Sequence, residues 1–309
     1  MPFLIAAAAI AALVLLGAYV CFRLTFFSNR KREVTEEFPL PKGECYEPYY
    51  ELMRKWMRDV DQMPNTPVEI TSFDGLKLRG RYYECAPGGP VEIMFPGYRG
   101  IAKRDMCGGV QRCAALGHNA LIVDQRANGE SEGSVITFGN LEYRDCLAWV
   151  DFALEHFGAD VKLILCGISM GASTVLIAAG EELPKNVIGV LADCGFTSAK
   201  EIICKVIRDI KLPPAPLYPL IRLGARLFGG FKLEEKSAVE SLKNAKIPVI
   251  FIHGTGDDFV PWEMSRDNYE ACVTEKRLAL IDGAAHGTSF MVDTEKYLQE
   301  LREFWKDKR

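Results

Sequence analysis

Short apolar runs alternate with longer helical patterns along most of the chain, and this alternation limits the possible folds more than any other feature. Each run is mostly apolar, without strict alternation of polar residues, which is typical of strands buried on both faces of a parallel sheet. The alternation therefore predicts an α/β chain whose sheet is covered by helices on both sides. The predicted strands lie at 91–95, 120–124, 161–166, 187–193, 248–253 and 277–281, and the predicted helices at 104–116, 140–157, 171–182, 262–273 and 289–307.

Two segments before residue 91 depart from this alternation. Positions 68–71 and 76–83 flank an Asp74-Gly75 turn and predict a hairpin, which makes the sheet mixed. Apolar residues over 49–60 recur with helical spacing and predict an amphipathic helix. The basic side chains on its other faces can point to solvent or contact anionic lipid, and both interpretations stay open.

A third departure lies between two predicted strands, at about 196–245. This stretch contains no strand-like run but holds Pro-rich sequence and two short helical patterns. A long insertion between strands of a parallel sheet is usually a functional lid. We expect a helical cap here, and we expect it to select the substrate.

The N-terminal 22 residues carry no charged side chain, and the run 3–22 would span about 30 Å as a helix, which matches the hydrocarbon core of a bilayer. No Lys or Arg precedes the run, so a cleaved signal peptide fits poorly. We expect a transmembrane anchor at 1–23, a linker with the amphipathic helix at 24–66, and one further domain at 67–309. The basic residues after the span predict, by the positive-inside rule, a single-pass protein whose C-terminal domain is cytoplasmic. These residues are Arg23, Arg30, Lys31 and Arg32.

Charge and cysteine usage exclude several classes of function. The net charge is −4, so no basic excess indicates a nucleic-acid partner. None of the 10 cysteines shows the CxxC spacing of a zinc or redox site, and several lie in apolar runs. We expect buried free thiols and a reducing compartment. No GxGxxG follows the first predicted parallel strand, which argues against a dinucleotide enzyme.

A G-x-S-x-G motif occupies 167–171, between the predicted strand 161–166 and a helical run rich in alanine. In this strand–turn–helix context the serine lies on a sharp turn and its hydroxyl is exposed above the sheet. Glycines on either side let the strand and helix pass closely, and the helix N-terminus adds a positive dipole. The motif predicts a nucleophilic Ser169.

A serine nucleophile needs a base and an acid that orients the base. Only two of the four histidines, His253 and His286, follow Ser169, as the expected chain order of serine, acid and histidine requires. His286 lies in the loop after the last predicted strand and is our candidate base, whereas His253 fits a histidine bonded locally at a strand end. Asp257 and Asp258 are both candidate acids, and with no further ligands nearby they make a weak metal site.

Acyl transfer also needs two backbone N–H groups that bind the oxyanion of the tetrahedral intermediate. The residue after the nucleophile, Met170, is expected to supply one. The loop after the first parallel strand reads Pro96-Gly97-Tyr98-Arg99-Gly100. Proline has no N–H, so Tyr98 is the candidate for the second donor.

At these motifs, residues 67–309 resemble the α/β-hydrolase family, and most closely its serine aminopeptidase or monoglyceride-lipase-like branch. The resemblance implies the α/β-hydrolase fold, Asp257 rather than Asp258 as the acid, and Tyr98 with Met170 as the oxyanion hole. The motifs that carry it are 96–100, 124–131, 167–171, 253–261 and His286.

The sequence departs from the family pattern in two places. Pro96 and Asn128 each stand where the family usually has a histidine. Pro96 lies in the candidate oxyanion loop and bears on the geometry of that loop. Asn128 replaces a histidine that the family uses to stabilise its structure. In the same segment we expect Asp124 and Arg126 to form a structural pair that holds the loop.

These observations predict a membrane-anchored serine hydrolase that cleaves a carboxylic ester through an acyl-serine. An aminopeptidase-like amide hydrolase, with Glu234 and Glu235 of the cap as candidate ligands for a substrate ammonium, and an acyl thioesterase are the alternatives within the enzyme class. A non-catalytic binding protein is the alternative outside it. We expect no cofactor and no metal. The expected partners are a small acyl substrate and the membrane, with no nucleic acid and no obligate protein partner.

Overall fold

The computed structural model describes residues 1–28 and 38–308. The helices are α1 (Pro2–Thr25), α2 (Tyr50–Gln62), α3 (Ala102–Leu116), α4 (Glu142–Phe157), α5 (Met170–Ala178), α6 (Ala199–Asp209), α7 (Pro214–Phe228), α8 (Ala238–Ser241), α9 (Glu263–Ala271), α10 (Ser289–Val292) and α11 (Thr294–Trp305). The strands are β1 (Thr66–Thr71), β2 (Lys77–Tyr83), β3 (Val91–Phe95), β4 (Asn119–Val123), β5 (Leu163–Ile168), β6 (Val187–Asp193), β7 (Val249–Gly254) and β8 (Lys276–Ile281). Short 3₁₀ helices cover Glu44–Tyr49 and Leu242–Asn244.

The strands form one mostly parallel sheet in the order β1-β2-β4-β3-β5-β6-β7-β8. The predicted hairpin β1–β2 joins it antiparallel to β4, and all other neighbouring strands pair in parallel. Every residue of β3 and β4 is buried, which explains why these strands are mostly apolar on both faces. The predicted sheet flanked by helices is confirmed.

Helices cover both faces of the sheet, and a third apolar cluster lies outside it. One core forms between the sheet and α4, α5 and α8, and a second between the sheet and α2, α3 and α11. The third cluster joins the inner faces of α6 and α7 to the last turns of α1. The helical cap predicted at 196–245 therefore packs on the end of the N-terminal helix as well as on the sheet.

Helix α1 has 24 residues and is long and apolar enough to cross a membrane. Positions 2–16 of the helix are exposed, whereas Ala18, Phe22 and Phe26, toward and just after its end, are buried. Arg30, Lys31 and Arg32, on which the predicted orientation partly depends, lie outside the described residues. The structure therefore supports the predicted span but does not test its orientation.

The predicted elements differ from the observed ones mainly at their ends. The helix predicted at 171–182 ends at Ala178, and the helix predicted at 289–307 is divided in two at Asp293. The side chain of Asp293 accepts a hydrogen bond from the N–H of Lys296 and so begins a new helix.

In α2, Arg54 and Lys55 form ion pairs with acidic residues of the same helix, which favours a basic face that points to solvent over one that contacts anionic lipid.

Candidate active site

The site lies where the order of the strands reverses. From β3 the chain crosses to β4 on one side, whereas β5 lies on the other side of β3. The loops that leave such neighbouring strands diverge and open a crevice at their carboxyl ends, where α/β sheets bind ligands. The register pairs Phe95 of β3 with Gly167 of β5, so the loop after β3 and the turn after β5 meet at this crevice.

The turn after β5 holds Ser169 in a strained conformation. Ser169 has a φ of 56°, in a region that non-glycine residues rarely adopt, and it immediately precedes α5. A Cβ at Gly171 would lie 1.9 Å from the backbone oxygen of Phe95, and one at Gly167 would lie 2.2 Å from Gly171. Both glycines are required because the strand, the turn and the helix approach one another so closely. The turn points the Ser169 hydroxyl into the crevice.

Three of the predicted residues form a continuous chain of hydrogen bonds. The Ser169 hydroxyl donates to Nε2 of His286 at 2.9 Å, and Nδ1 of His286 donates to Oδ2 of Asp257 at 2.7 Å. Ser169 follows β5, Asp257 follows β7 and His286 follows β8, so three different strand ends bring them together. This arrangement lets the imidazole take a proton from the hydroxyl while the carboxylate holds its orientation.

Asp257 is a fully bonded, buried carboxylate. Its Oδ1 accepts the backbone N–H groups of Phe259 and Val260, and its Oδ2 accepts from His286 and also from His253. Burial alone would raise the pKa of Asp257, but the hydrogen bonds and the charges of the two histidines hold it well below its ordinary value. Asp257 is therefore ionised throughout the neutral and mildly acidic range. Asp258, the other candidate, has an exposed side chain.

His253 has a role that the sequence indicated only in part. As predicted, it is bonded locally: its Nδ1 accepts the hydroxyl of Ser265, and its Nε2 donates to the backbone oxygen of Val260. The same Nε2 also lies 3.1 Å from Oδ2 of Asp257. His253 therefore positions the acid that orients His286. Only the close spacing of His253 and Asp257 could have indicated this contact.

The loop 96–100 faces Ser169. A Cβ at Gly97 would lie 3.5 Å from the Cβ of Ser169, and the side-chain amide of Gln125 donates to the oxygen of Pro96 at 2.6 Å. Within the described residues, the backbone N–H groups of Tyr98 and Met170 have no hydrogen-bond partner in the protein. Both groups are therefore available to an oxyanion.

The end of α1 contacts this loop directly. The hydroxyl of Tyr98 donates to the backbone oxygen of Thr25 at 2.8 Å. The guanidinium of Arg99, a residue with a φ of 53°, donates to the oxygens of Leu24 and Phe27 at 3.1 and 3.0 Å. These carbonyls at the end of α1 would otherwise lack partners, and a cation there is stabilised by the helix dipole. No sequence pattern indicated this contact.

Ser169 and His286 line a cavity of about 250 Å³. Much of its wall is apolar and comes from α2, α3 and α10, but four charged side chains also line it: Arg104, Asp105, Arg112 and Asp193. Its apolar lining includes Met53, Trp56, Met106, Phe290 and Met291. Such a cavity fits an acyl group better than a highly charged one.

The expected pair between Asp124 and Arg126 is wrong. The guanidinium of Arg126 binds Asp145 at 2.6 and 2.7 Å and also Asp74, which lies in the turn between β1 and β2. The carboxylate of Asp124 instead accepts the backbone N–H groups of Ala102 and Glu130. Each residue thus stabilises the 124–131 segment, but through different partners, because tertiary contacts brought other groups within reach.

One group of possible metal ligands includes the candidate site. Ligand atoms of Cys194, Asp257 and His286 lie within 4.8 Å of one another. Burial raises the pKa of the Cys194 thiol well above its ordinary value, so the thiol is protonated, whereas a metal ligand would be a thiolate. The other two residues bond to each other, and this set does not fit a metal. All 10 cysteines are free, and most are buried, as expected.

No family model matches the chain. A protein of Bacillus subtilis called "Uncharacterized protein YqkD" is 30% identical over 190 residues, which cover 61% of this chain and 62% of that protein. The chain therefore spans only about three-fifths of the length of this relative. The relative's name assigns no activity.

Two solved structures are similar over most of the chain. The esterase Pf2001 of Pyrococcus furiosus superimposes with a TM-score of 0.65 at 23% identity, covering 87% of this chain and 98% of that one. The α/β hydrolase GrgF from a Penicillium species superimposes with a TM-score of 0.60 at 19% identity, covering 80% of this chain and 99% of that one. Similarities at these identities establish the fold, and the fold of this chain is that of the α/β-hydrolases.

Proposed function

We propose that this chain, which has the α/β-hydrolase fold, is a membrane-anchored serine hydrolase that cleaves a carboxylic ester through an acyl-serine intermediate. The observation that carries the proposal is the hydrogen-bonded chain from Ser169 through His286 to Asp257, with its serine on a strained turn at the strand ends. A serine, a base and an orienting acid at these distances form the triad of acyl-transfer enzymes. The esterase among the similar structures agrees with this chemistry.

The proposed reaction has two halves. In the first, the Ser169 oxygen attacks the acyl carbon while its proton passes to Nε2 of His286. Asp257 stabilises the resulting imidazolium, and the N–H groups of Tyr98 and Met170 bind the oxyanion. The carbonyl then re-forms, and the leaving alcohol takes the proton from His286. In the second half, water attacks the acyl-serine by the same proton transfers and releases the acid.

An ester fits the cavity better than a substrate with a free ammonium group. Glu234, the cap residue that could bind an ammonium, instead accepts a hydrogen bond from Tyr218 and pairs with Arg222 at 3.7 Å. Glu234 and Glu235 line a separate depression on the cap and, within the described residues, are not part of the wall around Ser169. The aminopeptidase alternative therefore loses its candidate ammonium ligands, whereas a thioester remains compatible with the same chemistry.

The membrane part of the proposal rests on α1, whose exposed apolar half projects from the domain. We propose that α1 spans the bilayer once and that the hydrolase domain faces the cytoplasm, in agreement with the basic residues after the span and the free thiols. A C-terminal reporter that is active only in the cytoplasm tests this orientation. Activity of a reporter that requires export would contradict it.

Labelling with a fluorophosphonate tests the proposed nucleophile. Such a probe phosphonylates only an activated serine, so wild type should be labelled, whereas Ser169→Ala and His286→Ala should not be. Ser134→Ala, at an exposed serine, is the matched control and should be labelled like wild type. Labelling that survives in Ser169→Ala, or its absence from folded wild type, would contradict the proposal and favour a binding protein. Esters, thioesters and aminoacyl amides can then be compared as substrates.

A further inference from the structure

We propose that the cap is a second membrane-contacting surface: helix α7 and the turn 210–213 that precedes it lie in the bilayer beside α1. This inference rests on the membrane anchoring proposed above and adds to it, because it places part of the hydrolase domain itself in lipid. It is carried by the packing of α7 on α1, by the length of the free part of α1, and by the apolar side chains that α7 and the turn expose.

The two helices run in the same direction and pack closely. Leu220 of α7 contacts Gly17, and Phe228, two turns later, contacts the rings of Tyr19 and Phe22, with ring centroids 5.2 and 6.0 Å apart. A Cβ at Gly224 would lie 2.4 Å from the oxygen of Ala18, so the backbones nearly touch. Later residues of α7 contact later residues of α1, so the helices are parallel. The start of α7 and the preceding turn therefore lie toward the free N-terminal half of α1.

The free half of α1 is too short to cross a bilayer alone. Positions 2–16 are exposed, and these 15 residues span only about 22 Å as a helix. The hydrocarbon core is about 30 Å thick, so about five more residues must enter it. Those residues are 17–21, the segment on which α7 packs. Inserting them without α7 would require the bilayer to thin or the two helices to separate.

The surface that would meet lipid exposes apolar side chains beside three basic ones, Lys211, Arg222 and Arg226, whose long side chains can extend to the lipid headgroups. Ile210 is 61% exposed and Leu212 is 46% exposed in the turn, and Leu227 is 51% exposed near the end of α7. Pro213 and Pro216 extend this surface without adding a charge. The apolar part of this surface continues from Phe228 to Tyr19 on the exposed side of α1. A bilayer fits this surface because it already surrounds the free part of α1.

The arrangement also bears on the substrate. The ring of Tyr98 belongs to the wall of the cavity at Ser169, and its hydroxyl is bonded to Thr25 at the end of α1. The cavity therefore lies next to the point where the anchor leaves the lipid. An ester that resides in the bilayer is the substrate class that this placement favours.

Photocrosslinking to lipid tests the inference in the full-length protein. A p-benzoylphenylalanine is placed at Ile210, at Leu227, at Leu13 in the free half of α1, and at Val273, which is 66% exposed in the loop before β8. Each variant is reconstituted in phosphatidylcholine vesicles with a traceable lipid and irradiated. We expect lipid adducts at Leu13, Ile210 and Leu227 at several times the yield at Val273. Fluorophosphonate labelling of each variant verifies its fold independently.

Three crosslinking results would contradict the placement of the cap in the bilayer. If Leu13 forms lipid adducts while Ile210 and Leu227 behave like Val273, the cap stands clear of the bilayer and the inference is wrong. If Ile210 and Leu227 form protein dimers instead, a second copy covers the surface, which also overturns it. If Leu13 forms no lipid adduct, the anchoring part of the proposed function fails together with the inference. Loss of fluorophosphonate labelling in wild type would instead contradict only the hydrolase proposal.

Discussion

Asp257 accepts hydrogen bonds on both carboxylate oxygens, and each oxygen has its own set of partners. The backbone N–H groups of Phe259 and Val260 fix Oδ1, whereas His253 and His286 share Oδ2. An ionised carboxylate held in this way keeps Nδ1 of His286 protonated, so that Nε2 is free to accept the Ser169 proton. Its lowered pKa also means that a loss of activity in mild acid would not come from protonation of Asp257.

We predict that Asp257→Asn lowers kcat for a soluble ester by about 10⁴-fold, because an amide in this place favours the wrong tautomer of the histidine. Asp258→Asn is the matched control and should change kcat little, since its side chain is exposed. Initial rates with a chromogenic short-chain ester measure both variants. Equal losses in the two variants would refute the assignment of Asp257.

At the scale of elements, a buried ion pair ties β3 to α3. Glu92 of β3 lies 2.5 Å from the guanidinium of Arg112 and 2.7 Å from Nδ1 of His118, and all three side chains are buried. Burial would raise the pKa of Glu92, but the charge of Arg112 and the hydrogen bond from His118 lower it to about 2. Its ordinary value is 4.5, so the interaction stabilises the fold above that pH and is lost as the pH falls toward 2.

We predict that Glu92→Gln destabilises the domain by about 3 kcal/mol at pH 7, because the guanidinium is left buried without a carboxylate. The thermal midpoint in detergent should fall by about 10 °C. The difference from wild type should shrink as the pH is lowered from 5 to 3. In the matched control Glu69→Gln, the lost ion pair is exposed, with Arg79 at 3.2 Å, and should matter little. A midpoint in Glu92→Gln equal to that of wild type would show that the pair does not contribute.

At the scale of the whole molecule, the last turns of α1 belong to the domain. Phe22 and Phe26 are buried in the cluster formed with the cap, and Phe26 contacts Phe138 and Phe231 edge to face. The backbone of residues 26–28 continues into hydrogen bonds with the segment 134–136. Burial of each large apolar side chain contributes roughly 1.5–3 kcal/mol, a large part of the total stability of a domain.

Two truncations separate the anchor from this docked segment. We predict that removal of residues 1–16 leaves kcat for a soluble ester near that of the full chain, because only exposed positions are lost. Removal of residues 1–28 should lower kcat at least tenfold and lower the thermal midpoint, since the bonds that hold Tyr98 and Arg99 are lost too. Circular dichroism and initial rates measure both. Equal kcat in the two truncated proteins would show that the docked segment is dispensable.

The positions of the strands, the turn at Ser169 and the candidates Asp257 and His286 could be predicted from the sequence. Each depends on neighbouring residues: continuous apolar runs, glycines two residues from a serine, or chain order after a given strand. The branch of the family, the substrate and the catalytic roles stay predictions. The choice of Asp257 over Asp258 came from the resemblance to the α/β-hydrolase family. The two carboxylates are adjacent in the chain, and only the conformation of the folded loop determines which of them faces His286.

The apolar patterns along the chain were enough to predict the sheet, its helices and the apolar N-terminal helix. Which distant side chains meet depends on tertiary packing, and this holds for His253 with Asp257, Arg126 with Asp74 and Asp145, and Arg99 with the end of α1. Periodicity is set by residues two to four positions apart, so it can be read along the chain. A contact across 75 residues, such as that of Arg99 with Leu24, depends on how whole elements pack, and no local pattern records it.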